Sequence, residues 1–185
     1  MTGVRFEAIS LAAVFIALLM GCASQAVEEN SGEVVQMGGL KLTSSAFQHN
    51  GAIPDKYTCK GEDVNPPLAI ENIPNGTKSL VLIVDDPDAP MGTWVHWVVW
   101  NIAPSTSDIA ENSVPAGAVL GSNDFGRLDY GGPCPPSGTH RYFFKLYALD
   151  MMLELEEGAT KGEVEQTMEG HVLAQTSLMG TYSKK

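Results

Sequence analysis

The segment Leu80–Val84 reads LVLIV, and the acidic, proline-rich run Asp85–Pro90 (DDPDAP) follows it directly. A short, continuous apolar run bounded by turn residues is typical of a strand that is buried on both faces. Two further segments, Val95–Ile102 (VHWVVWNI) and Arg141–Leu149 (RYFFKLYAL), predict strands because they are rich in β-branched and aromatic residues. A last short strand is expected at Leu178–Tyr182. The sequence therefore predicts an all-β fold with few helices.

One helix is expected near the C-terminal end. Thr160 and Glu163 have the spacing of a capping box, in which each side chain accepts a hydrogen bond from the other residue's backbone N–H. Val164, Met168 and Val172 recur at every fourth position, which predicts one apolar stripe along a helix.

Composition limits the classes of function. The chain has 185 residues, of which 44% are hydrophobic and 18% are charged, which is typical of one globular domain. Its 11 Lys and Arg against 22 Asp and Glu give a formal net charge of −11. A chain this acidic lacks the basic surface with which proteins bind nucleic acid or anionic lipid.

The first residues have the pattern of a targeting signal. Ile9–Met20 is an apolar run that is short for a membrane span, and Leu19–Cys22 (LMGC) resembles a lipoprotein cleavage site. We expect residues 1–21 to be a signal peptide, 22–39 a flexible tether, and 40–185 the folded domain. Cys22 would carry the lipid, such as palmitate, and anchor an extracytoplasmic protein to a membrane of the cell envelope. The alternative is an uncleaved anchor with Cys22 as an ordinary thiol.

The mature chain keeps two further cysteines, Cys59 and Cys134. Outside the cytoplasm two thiols often pair, but the spacing equally allows two separately buried thiols. No cysteine and histidine cluster has the spacing of a zinc site, so no metal is expected.

Polar residues of possible functional importance follow the first predicted strand. The prolines of DDPDAP fix the backbone around Asp86 and Asp88 in a stiff turn. These carboxylates either cap backbone N–H groups or belong to a site.

His96 stands in the motif Trp94–Trp97 (WVHW). On the period of two of a strand, it shares a face with Val98, Trp100 and Ile102. A histidine on such a face is either a hydrogen-bonded core residue or part of a site.

The third segment of interest is the loop Gly131–Gly138 (GGPCPPSG), which leads into a strand. His140 and Tyr142 are expected on one side of that strand, and Arg141 on the other, where it would form a structural salt bridge. The loop has the composition of one that offers backbone N–H groups to an anion.

Together, DDPDAP, WVHW and GGPCPPSGTHRYFFKLYALD resemble the phosphatidylethanolamine-binding protein family, also called Raf kinase inhibitor-like proteins, in its prokaryotic branch. The resemblance extends from about Lys41 to Tyr182. It implies a large antiparallel sheet packed against a smaller one, one C-terminal helix, and a small anion-binding pocket near one end of the sheet.

The resemblance also implies which residues contact the ligand. They are Asp86, Ala89, Pro90, Trp94, His96, Gly132, Pro135, Pro136, His140 and Tyr142. Cys134 departs from the glycine that animal members carry, and Ile70 stands where a tryptophan is common. No cofactor is implied.

Two classes of function fit these residues. The first is a binding protein that captures a small anion, a phosphoryl or carboxylate group, or that inhibits a partner enzyme. The second is a hydrolase that uses Asp86, His96 and His140, although no convincing nucleophile accompanies them. A metal site built from the same Asp and His residues is a further alternative.

Overall fold

The computed structural model describes residues 39–184, together with Met1 and Gly3. The chain divides into two units, Met1–Glu33 and Val34–Lys185, and every element described below belongs to the second. Cys22 and nearly all of the predicted signal peptide and tether lie outside the described residues, so their assignment stays a prediction. Within residues 39–184, no helix is long and apolar enough to cross a membrane.

Nine strands and one α-helix form the described part of the chain. In order they are β1 (Lys41–Thr43), β2 (Gly51–Ala52), β3 (Leu68–Glu71), β4 (Ser79–Asp86), β5 (Trp94–Ile102), β6 (Asp108–Ile109), β7 (Val119–Leu120), β8 (Thr139–Leu149), α1 (Lys161–Met168) and β9 (Val172–Ser183). A short 3₁₀ helix at Asp55–Tyr57 follows β2.

The strands form two sheets. The large sheet has the order β2-β9-β8-β4-β5-β7, and its neighbours are antiparallel except for the parallel pair β2 and β9. The small sheet has the order β1-β3-β6 and is antiparallel. The predicted fold class, mostly β with two sheets and a late helix, is confirmed.

Strand β4 lies between β8 and β5 inside the large sheet, and all eight of its residues are buried. On one face, Leu82 and Val84 pack in a core that also holds Leu42 and Ile70 of the small sheet. On the other face, Val81 and Ile83 belong to a second core with residues of α1. Burial on both faces explains why LVLIV is apolar without alternation.

The C-terminal elements differ in part from the prediction. The capping box of Thr160 and Glu163 is present and begins α1 as expected. However, α1 ends at Met168, and Val172 is the first residue of β9 rather than a helical position. Gly170 adopts a φ of 80°, a left-handed conformation that interrupts the helix. Strand β9 is also much longer than predicted, because it pairs with β8 along its whole length.

Strand β5 carries a bulge at His96. Val84 pairs with Trp97, whereas the next residue, Asp85, pairs with Val95. Two residues of β5 therefore oppose one of β4, and His96 is the extra one. A bulge of this kind re-aims a side chain and changes the alternation of the strand.

The bulge corrects the predicted face of His96. Val98 and Trp100 pack in the helix-side core. The His96 ring instead contacts Tyr142, which belongs to the core between the sheets. The expectation that His96 shares a face with Val98 and Trp100 is therefore wrong. A second register shift, where Asn101 has a φ of 55°, turns Ile102 into the core between the sheets.

Candidate ligand-binding cleft

A cleft of about 420 Å³ opens where β4 ends and β5 begins. Its walls are formed by Asp86, Ala89, Pro90, Met91, Trp94, His96, Phe125, Cys134 and Pro136. Most of these side chains are apolar, whereas Asp86 and His96 are ionisable and almost completely buried, at 3% and 2% exposure. The cleft thus combines an apolar wall with two polar groups, as small-molecule sites commonly do.

Asp86 is the last residue of β4, and both of its carboxylate oxygens accept hydrogen bonds. Oδ1 accepts from the backbone N–H of Asp88 at 2.8 Å, across the turn that contains Pro87. Oδ2 lies 2.7 Å from Nδ1 of His140, which comes from the neighbouring strand β8. Because a carboxylate accepts, Nδ1 of His140 carries the hydrogen in this pair.

The His96 ring is held by a backbone carbonyl. Its Nδ1 lies 2.5 Å from the carbonyl oxygen of Gly131, so Nδ1 carries a hydrogen. Burial lowers the pKa of His96 below its ordinary value of 6.5. The ring is therefore neutral near pH 7, and Nε2 has a free lone pair. No hydrogen-bond partner of Nε2 occurs among the residues that the structure describes.

Tyr142 joins the two histidines. Its ring lies 5.2 Å from that of His96, edge to face, and 6.5 Å from that of His140, stacked. The Tyr142 hydroxyl is buried near the Asp86 carboxylate and the Cys134 backbone, but makes no hydrogen bond of normal geometry within the described chain. Burial, followed by the nearby Asp86 carboxylate, raises the pKa of Tyr142, so the phenol stays protonated. Asp86, His140, Tyr142 and His96 thus form one contiguous cluster.

Asn123 positions the aromatic side of the cleft. Its Oδ1 accepts from the backbone N–H groups of Phe125 and Arg127, at 3.0 and 3.1 Å. Its Nδ2 donates to the His96 carbonyl at 3.3 Å, which attaches this loop to β5. Phe125 then packs edge to face on both Trp94 and His96, at 5.5 and 5.2 Å between ring centroids.

The loop 131–138 forms the other side of the cleft. Cys59 and Cys134 form a disulfide, which decides between the two alternatives that the sequence left open. The N–H of Gly132 donates to Oδ1 of Asp63 at 2.7 Å. It is therefore not available to an anion, and the expectation that this loop offers N–H groups to an anion stays a prediction for its other residues. A Cβ at Gly132 would lie 2.5 Å from the Tyr57 carbonyl oxygen, so only glycine fits there.

Comparison with known proteins identifies the family. Residues 43–183 match the family model described as phosphatidylethanolamine-binding protein. The chain belongs to the phosphatidylethanolamine-binding protein family. The resemblance that DDPDAP, WVHW and the Gly/Pro loop predicted is thereby confirmed.

Prokaryotic members of this family are similar over most of their length. A UPF0098 protein of Methanothermobacter thermautotrophicus is 51% identical over 150 residues, which cover 78% of this chain and 99% of the relative. A UPF0098 protein of Pyrococcus horikoshii is 48% identical over 181 residues, covering 94% of this chain and 87% of the relative.

Solved structures of the family have the same fold. The crystal structure of a putative phosphatidylethanolamine-binding protein homologue from Chlamydia trachomatis superposes with a TM-score of 0.77 at 46% identity, covering 80% of this chain and 99% of that one. The structure of E. coli YbcL, described as a member of the mammalian family, gives a TM-score of 0.75 at 30% identity, covering 79% of this chain and 99% of that one.

The residues that the family resemblance assigned to the ligand site fall into two groups in the structure. Those that line the cleft are Asp86, Ala89, Pro90, Trp94, His96 and Pro136. Those that do not are Gly132, Pro135, His140 and Tyr142. His140 and Tyr142 are buried beside Asp86 and His96 and support them, while Gly132 and Pro135 are buried parts of the loop.

Sequence reasoning did not include Met91, Phe125 and Cys134 among the cleft residues. Met91 is 96% exposed and Phe125 is 41% exposed. An apolar residue in a polar turn, as in Ser122–Gly126 (SNDFG), is a sequence signal that points to such a surface role. Among residues 39–184, no group of three or more His, Cys, Asp or Glu side chains is arranged to hold a metal ion.

Proposed function

We propose that the protein binds a small molecule through a phosphoryl or carboxylate group that contacts Asp86 and His96. One observation carries this proposal. A neutral His96, with Nε2 free, and the Asp86 carboxylate line the same apolar cleft. Met91, Trp94 and Phe125 would contact the remainder of the ligand.

A proton must accompany the anion. The Asp86 carboxylate and the net charge of −11 both repel a fully ionised phosphate. A phosphate monoester has a second pKa of about 6, so its monoanion keeps one O–H at mildly acidic pH. That O–H can donate to Nε2 of His96, or the proton can reside on the imidazole and be donated to the ligand. Both arrangements contain the same number of protons, and affinity therefore rises as pH falls from 8 to 5.5.

Titration calorimetry with phosphorylethanolamine at pH 5.5 and 8 tests the proposal. His96→Asn keeps an N–H donor for the Gly131 carbonyl but removes Nε2, and we expect it to weaken binding by roughly 1–3 kcal/mol. His171→Asn is the matched control, because His171 is exposed and pairs with Asp150 outside the cleft. Equal affinity of wild type and His96→Asn, or tighter binding at pH 8, contradicts the proposal.

The same proposal places the protein outside the cytoplasm, tethered to a membrane by lipid on Cys22. The support is the sequence LMGC behind a short apolar run. Cys22→Ala should move the protein out of the detergent phase in a Triton X-114 partition, or leave an unprocessed precursor. Unchanged partition and migration of this variant contradicts the lipid anchor.

A hydrolase is the second candidate, and the pair of Asp86 and His140 favours it. A carboxylate that orients a histidine through Nδ1 supplies two of the three members of a catalytic triad, without the nucleophile. The nearby hydroxyls give less support, since Thr139 Oγ1 is engaged with Ser183 Oγ at 2.7 Å. Turnover of generic esters or phosphodiesters, measured with and without EDTA, and its loss in His140→Asn would favour hydrolysis over binding.

A further inference from the structure

An exposed disulfide stands in the wall of the cleft. Cys134 lines the cleft, and its partner Cys59 lies in the segment that follows the 3₁₀ helix. Both residues are exposed to solvent. An exposed disulfide is open to attack by an external thiolate, unlike one that is buried in a core.

The first half of the loop is held without the disulfide. The N–H of Gly131 donates to the His96 carbonyl at 3.0 Å, and the His96 ring donates back to the Gly131 carbonyl. Gly132 is bound to Asp63, and the N–H of Cys59 donates to the Pro133 carbonyl at 3.2 Å. None of these hydrogen bonds uses a cysteine sulfur, so cleavage of the disulfide does not itself break them.

The second half of the loop has fewer attachments. Residues 134–137 include Cys134 and Pro136, which both line the cleft. Apart from the disulfide, this part is held by the buried Pro135 and by the proximity of the Cys134 backbone to Tyr142. It is also held by Lys184, whose Nζ donates to the Pro136 carbonyl at 2.9 Å and whose N–H donates to the Gly138 carbonyl at 3.0 Å. Lys184 is exposed and follows the last strand. Within the described residues, the disulfide is therefore the covalent cross-link of this wall of the cleft, beside its non-covalent attachments.

We propose that Cys59–Cys134 is a thiol-exchange site that controls the cleft wall, so that its cleavage by a small thiol or dithiol loosens residues 134–137 and weakens ligand binding. The effect on affinity rests on the proposed function, whereas the effect on the wall does not. A thiolate attacks one sulfur, the S–S bond breaks, and a mixed disulfide forms while the other cysteine leaves as a thiolate and takes up a proton. A second thiol then releases the first cysteine. The protein gains two electrons and two protons, and the reductant becomes a disulfide.

Nuclear magnetic resonance relaxation of the backbone amides tests the proposal. The sample is the full chain in detergent micelles with Cys22→Ser, which leaves Cys59 and Cys134 as its cysteines. On addition of dithiothreitol, the heteronuclear NOE of the Cys134 and Ser137 amides should fall, while that of Gly132, bound to Asp63, should not change. Reoxidation should restore the first values.

Phosphorylethanolamine binding is measured on the same two redox states. If residues 134–137 of the reduced protein adopt their binding-competent conformation for about 10–30% of the time, the affinity for phosphorylethanolamine falls roughly three- to tenfold. The double variant Cys59→Ser and Cys134→Ser should match the reduced protein and give no response to dithiothreitol. If the double variant does not fold, the comparison of the oxidised with the reduced Cys22→Ser chain is sufficient to test the proposal.

The outcomes separate the two proposals. Unchanged amide relaxation on reduction overturns the thiol-exchange proposal whether or not any ligand binds. A looser wall with unchanged affinity also overturns it. A looser wall with lower affinity supports it. A looser wall in a protein that binds no phosphorylethanolamine in its oxidised state supports control of the wall and contradicts the proposed function.

Discussion

At the scale of single residues, the bulge at His96 determines the chemistry of the cleft. The bulge directs the ring away from the helix-side core and towards Tyr142, and the Gly131 carbonyl fixes its Nδ1–H tautomer. The price of this placement is burial of a titratable group, which lowers the pKa of His96. A histidine with a lowered pKa in the folded state makes stability depend on pH.

The sign of that dependence follows from the direction of the shift. The unfolded chain binds a proton at His96 below about pH 6.5, before the folded protein does. Stability from the neutral, buried ring is complete above pH 6.5 and is lost as pH falls from there through the lower folded pKa. We expect the free energy of unfolding of the wild type to fall more steeply between pH 6.5 and 5 than that of His96→Asn, by at most about 1.4 kcal/mol per pH unit.

Urea denaturation of both proteins at half-unit pH intervals measures this difference. The His171→Asn variant is the control, because it removes an exposed histidine. If the free energy of unfolding changes equally with pH in the wild type and in His96→Asn, His96 does not cause the pH dependence of stability.

Several residues of the cleft were predicted by the family resemblance, which rests on the contiguous motifs DDPDAP and WVHW; the residues alone left their role open between structure and site. Asp86 and His96 are examples. The supporting role of His140 could not be predicted in the same way, since it depends on the pairing of β4 with β8. The face of His96 could not be predicted either, because a bulge leaves no mark in an otherwise regular strand sequence.

At the scale of elements, the capping box of α1 gives the clearest prediction. Thr160 Oγ1 accepts from the Glu163 N–H, and Glu163 Oε2 accepts from the Thr160 N–H at 2.8 Å. The helix has only eight residues, so its first turn makes up a large part of it. Thr160→Ala should lower the free energy of unfolding by about 1 kcal/mol. Thr160→Ser, which keeps the hydroxyl, should lower it by much less, as measured by urea denaturation; equal losses in both variants would contradict the role of the cap.

Sequence patterns predicted the elements whose signal is local. The run LVLIV predicted β4, and the Thr160–Glu163 spacing predicted the start of α1. The end of α1 was missed because Val172 continues the four-residue spacing of Val164 and Met168 although it belongs to β9. The glycine between them was the available signal, since a left-handed glycine commonly ends a helix.

At the scale of the whole molecule, the disulfide connects segments that are 75 residues apart in sequence. A cross-link over such a distance restricts the unfolded chain strongly, and the chain-entropy model gives about 4 kcal/mol as an upper figure. Replacement of both Cys59 and Cys134 by Ser should therefore lower the free energy of unfolding by up to that amount. Denaturation with urea under oxidising conditions, beside the Cys22→Ser chain, measures it. No loss of stability would show that the cross-link does not restrict the unfolded state.

The large separation of Cys59 and Cys134 in sequence also explains why their pairing could not be predicted from sequence. Cys59 and Cys134 meet because Asp63 binds Gly132 and the Tyr130 hydroxyl donates to the Tyr57 carbonyl at 3.1 Å. These contacts join two loops and depend on the complete fold. The family resemblance predicted the architecture of the two sheets, but the local spacing of the cysteines contained no information on their pairing.

The central claim is that a small phosphoryl ligand occupies the cleft at Asp86 and His96, and the indole N–H signals of the three tryptophans test it most directly. Trp94 lines the cleft, whereas Trp97 and Trp100 are buried in the two cores. In a titration of the ¹⁵N-labelled full chain with phosphorylethanolamine at pH 5.5, the account predicts a saturable shift of the Trp94 indole signal and none of the Trp100 signal. A Trp94 signal that does not move at millimolar phosphorylethanolamine would contradict the account.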